Sequence, residues 1–381
     1  MTTRREFLQR CGASVLATAS GAGMACASAG RHRELNILCW EGYNNPVVTR
    51  PFMAEFQAKL VAEELNADPI AVTRLRAGET RKWDLINLKN PWARTILFPE
   101  SLIRPLPKDR FMPMFDSMLS RFKGPYHWAM DRSRSELLGM VQRFGPFSFT
   151  VNTDRISRKT AEDEGWNLFL DRALKGRIAI LGYLTWNVAH LSLLAGLNPY
   201  VAHTPEELVK FENTTRQLVQ GTALYSESMD EISKAMVDGT IDACFTGGTY
   251  SVARARYDGH RNIRGITPSR GPVDGKGAIM WAEITSSVNN PTPSPLAEEF
   301  LAYVQRPDIA KIVASAANIY TPVSNMGNPK VLATFNAREL DAMQWDTLEE
   351  DLDRCSDYNI NPDLIEMQDI YLNLKRENER H

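Results

Sequence analysis

The chain has 381 residues, 43% of them hydrophobic, and its 44 basic and 46 acidic side chains leave a net charge of −2. That near-balance argues against a polyanion partner, nucleic acid included, and against an acidic disordered tail. Beyond the first thirty residues no apolar run reaches the length of a membrane-spanning helix, and roughly 350 residues remain, more than one hydrophobic core usually holds, so two domains are expected.

The N-terminus reads as an export tag. Thr3-Arg4-Arg5-Glu6-Phe7-Leu8 precedes a weakly apolar, small-residue run from Gly12 to Gly30, the order of a twin-arginine signal, with Gln9 replacing the usual basic residue. Small residues at Ala25-Cys26-Ala27 and Ala27-Ser28-Ala29 suit cleavage, so residues 1–29 are assigned to the signal peptide. Lipoprotein processing at Cys26 is the alternative, although Gly23-Met24-Ala25 lacks the expected leucine. Cys39, Cys244 and Cys355 remain after cleavage. Their odd number and spacing argue against a disulfide framework; Cys39 and Cys244 read as buried thiols, with one bond between them as the alternative.

In chain order, Leu35 to Trp40 is a short apolar run with β-propensity, and Phe52, Met53, Phe56, Leu60 and Val61 then recur at helical spacing. Pro69 to Val72 predicts a strand, as does Asp84 to Leu88, which leads into a helix over Trp92 to Phe98. Gly176 to Leu181 predicts a strand and Asn187 to Ala195 a helix. Thr204-Pro205-Glu206-Glu207 is a capping box with proline in the first turn; Ser228-Met229-Asp230-Glu231 repeats the device, and Gly239 closes that helix. A strand from Thr240 to Phe245 runs through Thr246-Gly247-Gly248-Thr249 into another helix, and helices over Leu296 to Val304 and Asp308 to Ala316 break at Arg306-Pro307. Repeated strand-then-helix units predict an α/β fold with largely parallel sheets.

Catalytic and metal chemistry find little support. His32, His127, His190, His203, His260 and His381 never fall at metal-ligand spacing with a carboxylate, and there is no Cys-x-x-Cys pair, nucleophile elbow or phosphate loop. We therefore expect no enzyme, cofactor or metal. Gly247-Gly248 before a helix reads as a tight turn or as backbone N–H groups offered to an anion. Trp40, Tyr43, Trp92, Tyr183, Trp186 and Trp281 all lie at or just beyond the carboxyl ends of predicted strands, where open sheets bind ligands. Aromatic faces with a carboxylate such as Glu41 or Glu283 can hold an ammonium group.

Four blocks resemble the extracellular solute-binding proteins of ABC importers, in particular the spermidine/putrescine-binding branch. Leu35 to Tyr43 is similar to the opening strand and its Trp-x-x-Tyr turn. Gly165 to Leu170, continuing to Lys175-Gly176-Arg177-Ile178, is similar to the tryptophan-led helix and following strand. Asp238-Gly239 through Gly248 to Val252-Ala253-Arg254 resembles the next strand, glycine loop and helix. Ala278 to Glu283, Gln305 to Lys311 and Tyr320-Thr321-Pro322 resemble the C-terminal signature. The resemblance implies a periplasmic-binding-protein clamshell of two α/β lobes joined by crossing strands. Lobe 1 would hold 34–145 and 278–322, lobe 2 146–277 and 323–381, with Phe147 to Val151 in the first crossing. It further implies hinge closure on a small amine-containing solute, a periplasmic and monomeric protein, an inner-membrane ABC permease as partner and the twin-arginine machinery for export. A clamshell that signals to a membrane receptor is the alternative.

By the same resemblance Trp40 and Tyr43 match ligand contacts, Trp281 an aromatic wall and Glu283 an acid that pairs with an amine. The departures fall at Gly42, where the family has a carboxylate, leaving Glu41 displaced by one; at Tyr183 and Trp186, in place of two more carboxylates; at Thr246, in place of a tryptophan; and at Lys89, in place of a small polar residue. Fewer anions and an added cation disfavour a molecule with three or four ammonium groups. A polyamine is implied by the family; a zwitterion or a smaller mono- or diamine fits these residues better. Lys89 reads equally as a solvated surface lysine or as a ligand contact.

Overall fold

The computed structural model describes residues 31–380 except 66, 317 and 318. The signal peptide and Cys26 lie outside the described residues. Elements run β1 (Glu34–Cys39), α1 (Pro46–Phe56), β2 (Lys59–Glu64), α2 (Asp68–Arg76), β3 (Leu85–Lys89), β4 (Ile103–Arg104), α3 (Lys108–Phe115), β5 (Met140–Asn152), α4 (Arg158–Glu164), β6 (Ile178–Leu181), α5 (Leu184–Leu194), α6 (Pro205–Gly221), β7 (Thr222–Ser226), α7 (Met229–Val237), β8 (Ala243–Gly248), α8 (Thr249–Tyr257), β9 (Ile263–Ile266) and β10 (Ala278–Val288). They close with α9 (Leu296–Tyr303), α10 (Pro307–Ser315), α11 (Pro329–Leu332), α12 (Ala337–Ala342), α13 (Leu348–Asp353), β11 (Cys355–Asp357) and α14 (Leu364–Asn378).

The strands follow the order β2-β1-β3-β10-β5-β8-β6-β7. Parallel pairing of β1 with β2 and β3 at one end, and of β6 with β7 and β8 at the other, flanks two long antiparallel strands, β5 and β10. Both are buried along their whole length, polar residues such as Gln142, Arg143, Glu283 and Thr285 included. One apolar cluster gathers around β1, β3, α1, α3, α9 and α10, a second around β6, β8, α5 and α6, and β5 and β10 contribute to both. The first crossing expected over Phe147 to Val151 is therefore part of β5. The C-terminal segment touches both sides: Val331 and Phe335 join the first cluster, whereas Met367 and Tyr371 of α14 join the second.

Three expectations are corrected. Pro69 to Val72 is not a strand: Asp68-Pro69 opens α2, where proline in the first turn costs no intrahelical hydrogen bond, and a short apolar run does not by itself distinguish strand from buried helix. Leu60 and Val61 leave the helical pattern and form β2, paired in register with Leu35 and Asn36. The helix expected over Trp92 to Phe98 is one π-helical turn, Ala93–Leu97. The capping box at Thr204 forms on both arms, Ser228 caps α7 by accepting from the Glu231 N–H, and Gly239 takes φ +71° after that helix. Cys39, Cys244 and Cys355 are buried free thiols. Among the described residues no helix is long and apolar enough to cross a membrane.

Candidate functional site

The site is built on the register of three strands. In β10, Glu283 lies opposite Lys89 of β3, and Trp281 lies opposite Gly145 of β5. Alternation of side chains puts Glu283 and Trp281 on one face, together with Lys89, Gly145 and Arg143. The β5–β10 register shifts between Ala282 and Ile284, a bulge that lets Gln142 and Arg143 share the space across from Glu283.

Glu283 and Arg143 form a buried, bidentate ion pair, each 2% exposed: Arg143 Nε donates to Oε2 and Nη2 to Oε1, both at 2.9 Å. The Tyr43 hydroxyl donates to the same Oε2 at 2.9 Å, and the Arg143 guanidinium lies 4.7 Å from the Tyr43 ring. Arg143 Nη2 also donates to the Glu41 carbonyl at 2.7 Å. Burial works against the Arg143 charge, but Glu283 outweighs it and its pKa is raised; burial first, then Glu283, pushes the Tyr43 phenol well above its ordinary value. Gly42 makes the arrangement fit. Its φ is +98°, and a Cβ there would sit 2.9 Å from Arg143 Nη1. Glycine at this position thus supplies a left-handed turn and space for an arginine.

Lys89 is 9% exposed, and its Nζ lies 2.9 Å from the centroid of the Trp40 ring and 6.0 Å from that of Trp281. It forms no ion pair within 4.0 Å among the described residues. Trp40 is held edge-on by Asp68, whose Oδ1 accepts from Nε1 at 2.7 Å. Burial lowers the Lys89 pKa, with Asp68, Glu283 and Glu41 pulling the other way; burial likewise raises the carboxyls of Asp68 and Glu41, opposed for Glu41 by Arg143 and Lys89. The Glu41 side chain is half-buried and also enters no ion pair among the described residues.

The facing wall comes from α5 and α8. Burial raises the phenols of Tyr183 and Tyr250 above their ordinary value, and both feel the Glu41 charge. Tyr250 meets Trp281 edge-to-face at 5.8 Å and Phe147 at 5.5 Å. Trp40, Glu41, Tyr43, Lys89, Tyr183, Trp281 and Glu283 therefore converge. Trp186 and Trp92 stand apart from this group: Trp186 is buried edge-on against Phe147 at 4.5 Å and lies 4.6 Å from Tyr358, and Trp92 is buried with its Nε1 unpartnered. Thr246 is fully buried and donates its hydroxyl to Asn187 of α5, away from this group. The sequence reasoning missed Asp68, Arg143, Thr249 and Tyr250. Arg143 had a visible signal, a charge inside the apolar run Met140 to Val151. Among the described residues no cluster of His, Cys, Asp and Glu converges as a metal site.

No protein-family model matches the chain, and no curated protein matches it in sequence. Solved structures do. A structure described as a spermidine/putrescine ABC transporter from Listeria monocytogenes aligns with TM-score 0.69 and 16% identity, covering 91% of this chain and 99% of that one. The spermidine/putrescine ABC transporter substrate-binding protein PotD of Streptococcus pneumoniae, in complex with calcium and HEPES, aligns with TM-score 0.64 and 14% identity over 91% and 99%. The binding protein MotA of A. tumefaciens in complex with glucopine aligns with TM-score 0.60 and 13% identity over 90% and 99%. The fold is that of the α/β substrate-binding proteins of ABC transporters.

Proposed function

We propose that this chain is the periplasmic substrate-binding component of an ABC importer and that it captures a small amine-containing solute by closing lobe 1 (34–145 and 278–322) on lobe 2 (146–277 and 323–381). Residues 1–29 would direct twin-arginine export, an inner-membrane permease would take the loaded form, and no chemistry would be performed. The fold and the aromatic walls support this reading, but the observation that carries it is Glu41. Arg143 and Tyr43 already engage both oxygens of Glu283 and Trp40 holds Asp68, so Glu41, whose charge reaches Tyr183 and Tyr250, is the carboxylate left to meet an ammonium group. Binding energy realised only when both walls contact the solute favours the closed form.

The test is calorimetric titration of the mature protein with small amines and amino compounds. Glu41→Gln should weaken binding by roughly 1–3 kcal/mol, through loss of a charge-assisted hydrogen bond in a desolvated site. Affinity should also fall as pH drops through the raised Glu41 pKa, above its ordinary 4.5, because the amine needs the ionised carboxylate. Undiminished affinity in Glu41→Gln would remove that residue from the site.

A further inference from the structure

A second group of polar atoms lies beside Trp281 and Gly145. The nine-residue helix α8 opens at Thr249, directly after β8, so its first-turn N–H groups have no acceptors within the helix and its end carries partial positive charge. Thr249 is 3% exposed and Trp281 5% exposed, yet neither Thr249 Oγ1 nor Trp281 Nε1 has a hydrogen-bond partner. Both border one space. A Cβ placed on Gly145 would lie 3.6 Å from Thr249 Oγ1 and 3.7 Å from Trp281 Nε1, so the two unpartnered polar groups flank the same bare glycine. The buried Lys89 ammonium, without a carboxylate within 4.0 Å among the described residues, stands on the Trp281 side of that space. A hydroxyl, an indole N–H, a helix start and a lysine are all donors, and buried donors left unmade are costly.

We propose that this group receives a carboxylate of the ligand, so that the solute is an amino acid with separated charges, its ammonium at Glu41 and its acid at Thr249, Trp281 Nε1 and Lys89. The inference rests on the proposed binding function and narrows its substrate class. It also accounts for the internal Arg143–Glu283 pair. By occupying Glu283, Arg143 removes the second anion that a diamine would need.

The experiment is calorimetry of the mature protein with γ-aminobutyrate and δ-aminovalerate, the matching diamines putrescine and cadaverine, and the monofunctional butylamine and butyrate. The amino acids should bind roughly tenfold or more tightly than the matching diamines. Lys89→Gln and Thr249→Val should each erase that preference. Gly145→Ala, which meets its neighbours only at ordinary contact distances and so keeps the fold, should weaken the amino acids by filling the space. Equal or tighter binding of the diamines overturns the acid pole and leaves the binding function standing. An amino-acid preference that survives both Lys89→Gln and Thr249→Val also overturns it. Binding of none of these compounds overturns both proposals.

Discussion

At the scale of single residues, Arg143 decides the chemistry of the cleft. It turns Glu283 from a free anion into half of a buried, bidentate pair, and removing one half of such a pair leaves the other charge uncompensated. Glu283→Gln should therefore lower unfolding stability by roughly 3–5 kcal/mol, whereas Glu283→Gln combined with Arg143→Met should recover much of that loss; urea unfolding of the two variants decides it. If the single variant unfolds like the parent, the pair is not buried as described. The three thiols give a pH dependence. Burial raises Cys39, Cys244 (to about 12) and Cys355 above the ordinary 9.0, so between about pH 9 and 12 the unfolded chain has lost thiol protons that the native chain keeps. The native state then binds more protons, and stability falls as pH rises, by up to roughly 1.4 kcal/mol per pH unit for each thiol. Lys89 opposes this with one proton, because its folded pKa lies below the ordinary 10.5. Denaturant midpoints that stay level from pH 8 to about 10 would contradict neutral buried thiols.

At the scale of elements, the glycine pair that ends β8 stands before a helix as the sequence suggests but is not a tight turn. Gly247 and Gly248 do precede a helix, but neither takes positive φ; they are strand residues pressed against β5. A Cβ on Gly248 would lie 2.5 Å from the Pro146 carbonyl oxygen, and one on Gly247 2.9 Å from Thr150 Cγ2. Gly248→Ala should accordingly cost about 1–3 kcal/mol by forcing β8 from β5. Gly221→Ala, at the end of α6 with its nearest neighbour at 3.9 Å, should be neutral or stabilising by up to about 1 kcal/mol. Thermal unfolding of the two variants side by side checks the contrast; equal effects would mean that the β5–β8 contact is not tight. The capping box at Thr204, the single-armed cap at Ser228 and the strand-end aromatics were legible because their signals are local: Thr204 and Glu207 are three residues apart, and Trp40 and Tyr43 share one turn. The Arg143–Glu283 pair was not, because its partners stand 140 residues apart and meet only through a bulge between two long strands. Asp68 was hidden for another reason, since the Asp-Pro start of α2 carries a short apolar run that strand and helix fit equally well.

At the scale of the whole molecule, β5 and β10 do more than connect. Met140, Val141 and Phe144 of β5 enter the first apolar cluster, and Phe147, Phe149 and Val151 enter the second. In β10 the division runs across the strand: Met280, Ala282 and Ile284 face the first cluster, Ile279 and Trp281 the second. The C-terminal segment adds a second tie, since Arg256 of α8 pairs with Asp341 of α12 at 3.1 Å, and Gln344 exchanges hydrogen bonds with the backbone of Gly265 at 2.8 and 3.0 Å. Neither cluster can come apart without stripping strands from the other, so calorimetry of the mature chain should show one unfolding transition although the sequence length predicts two domains. A ligand held between the two walls binds only the intact molecule, and at a hundredfold excess over its Kd it should stabilise that transition by about 2.7 kcal/mol while keeping it single. Two resolved transitions, with only one moved by ligand, would show instead that the clusters unfold independently and that the solute rests on one wall alone.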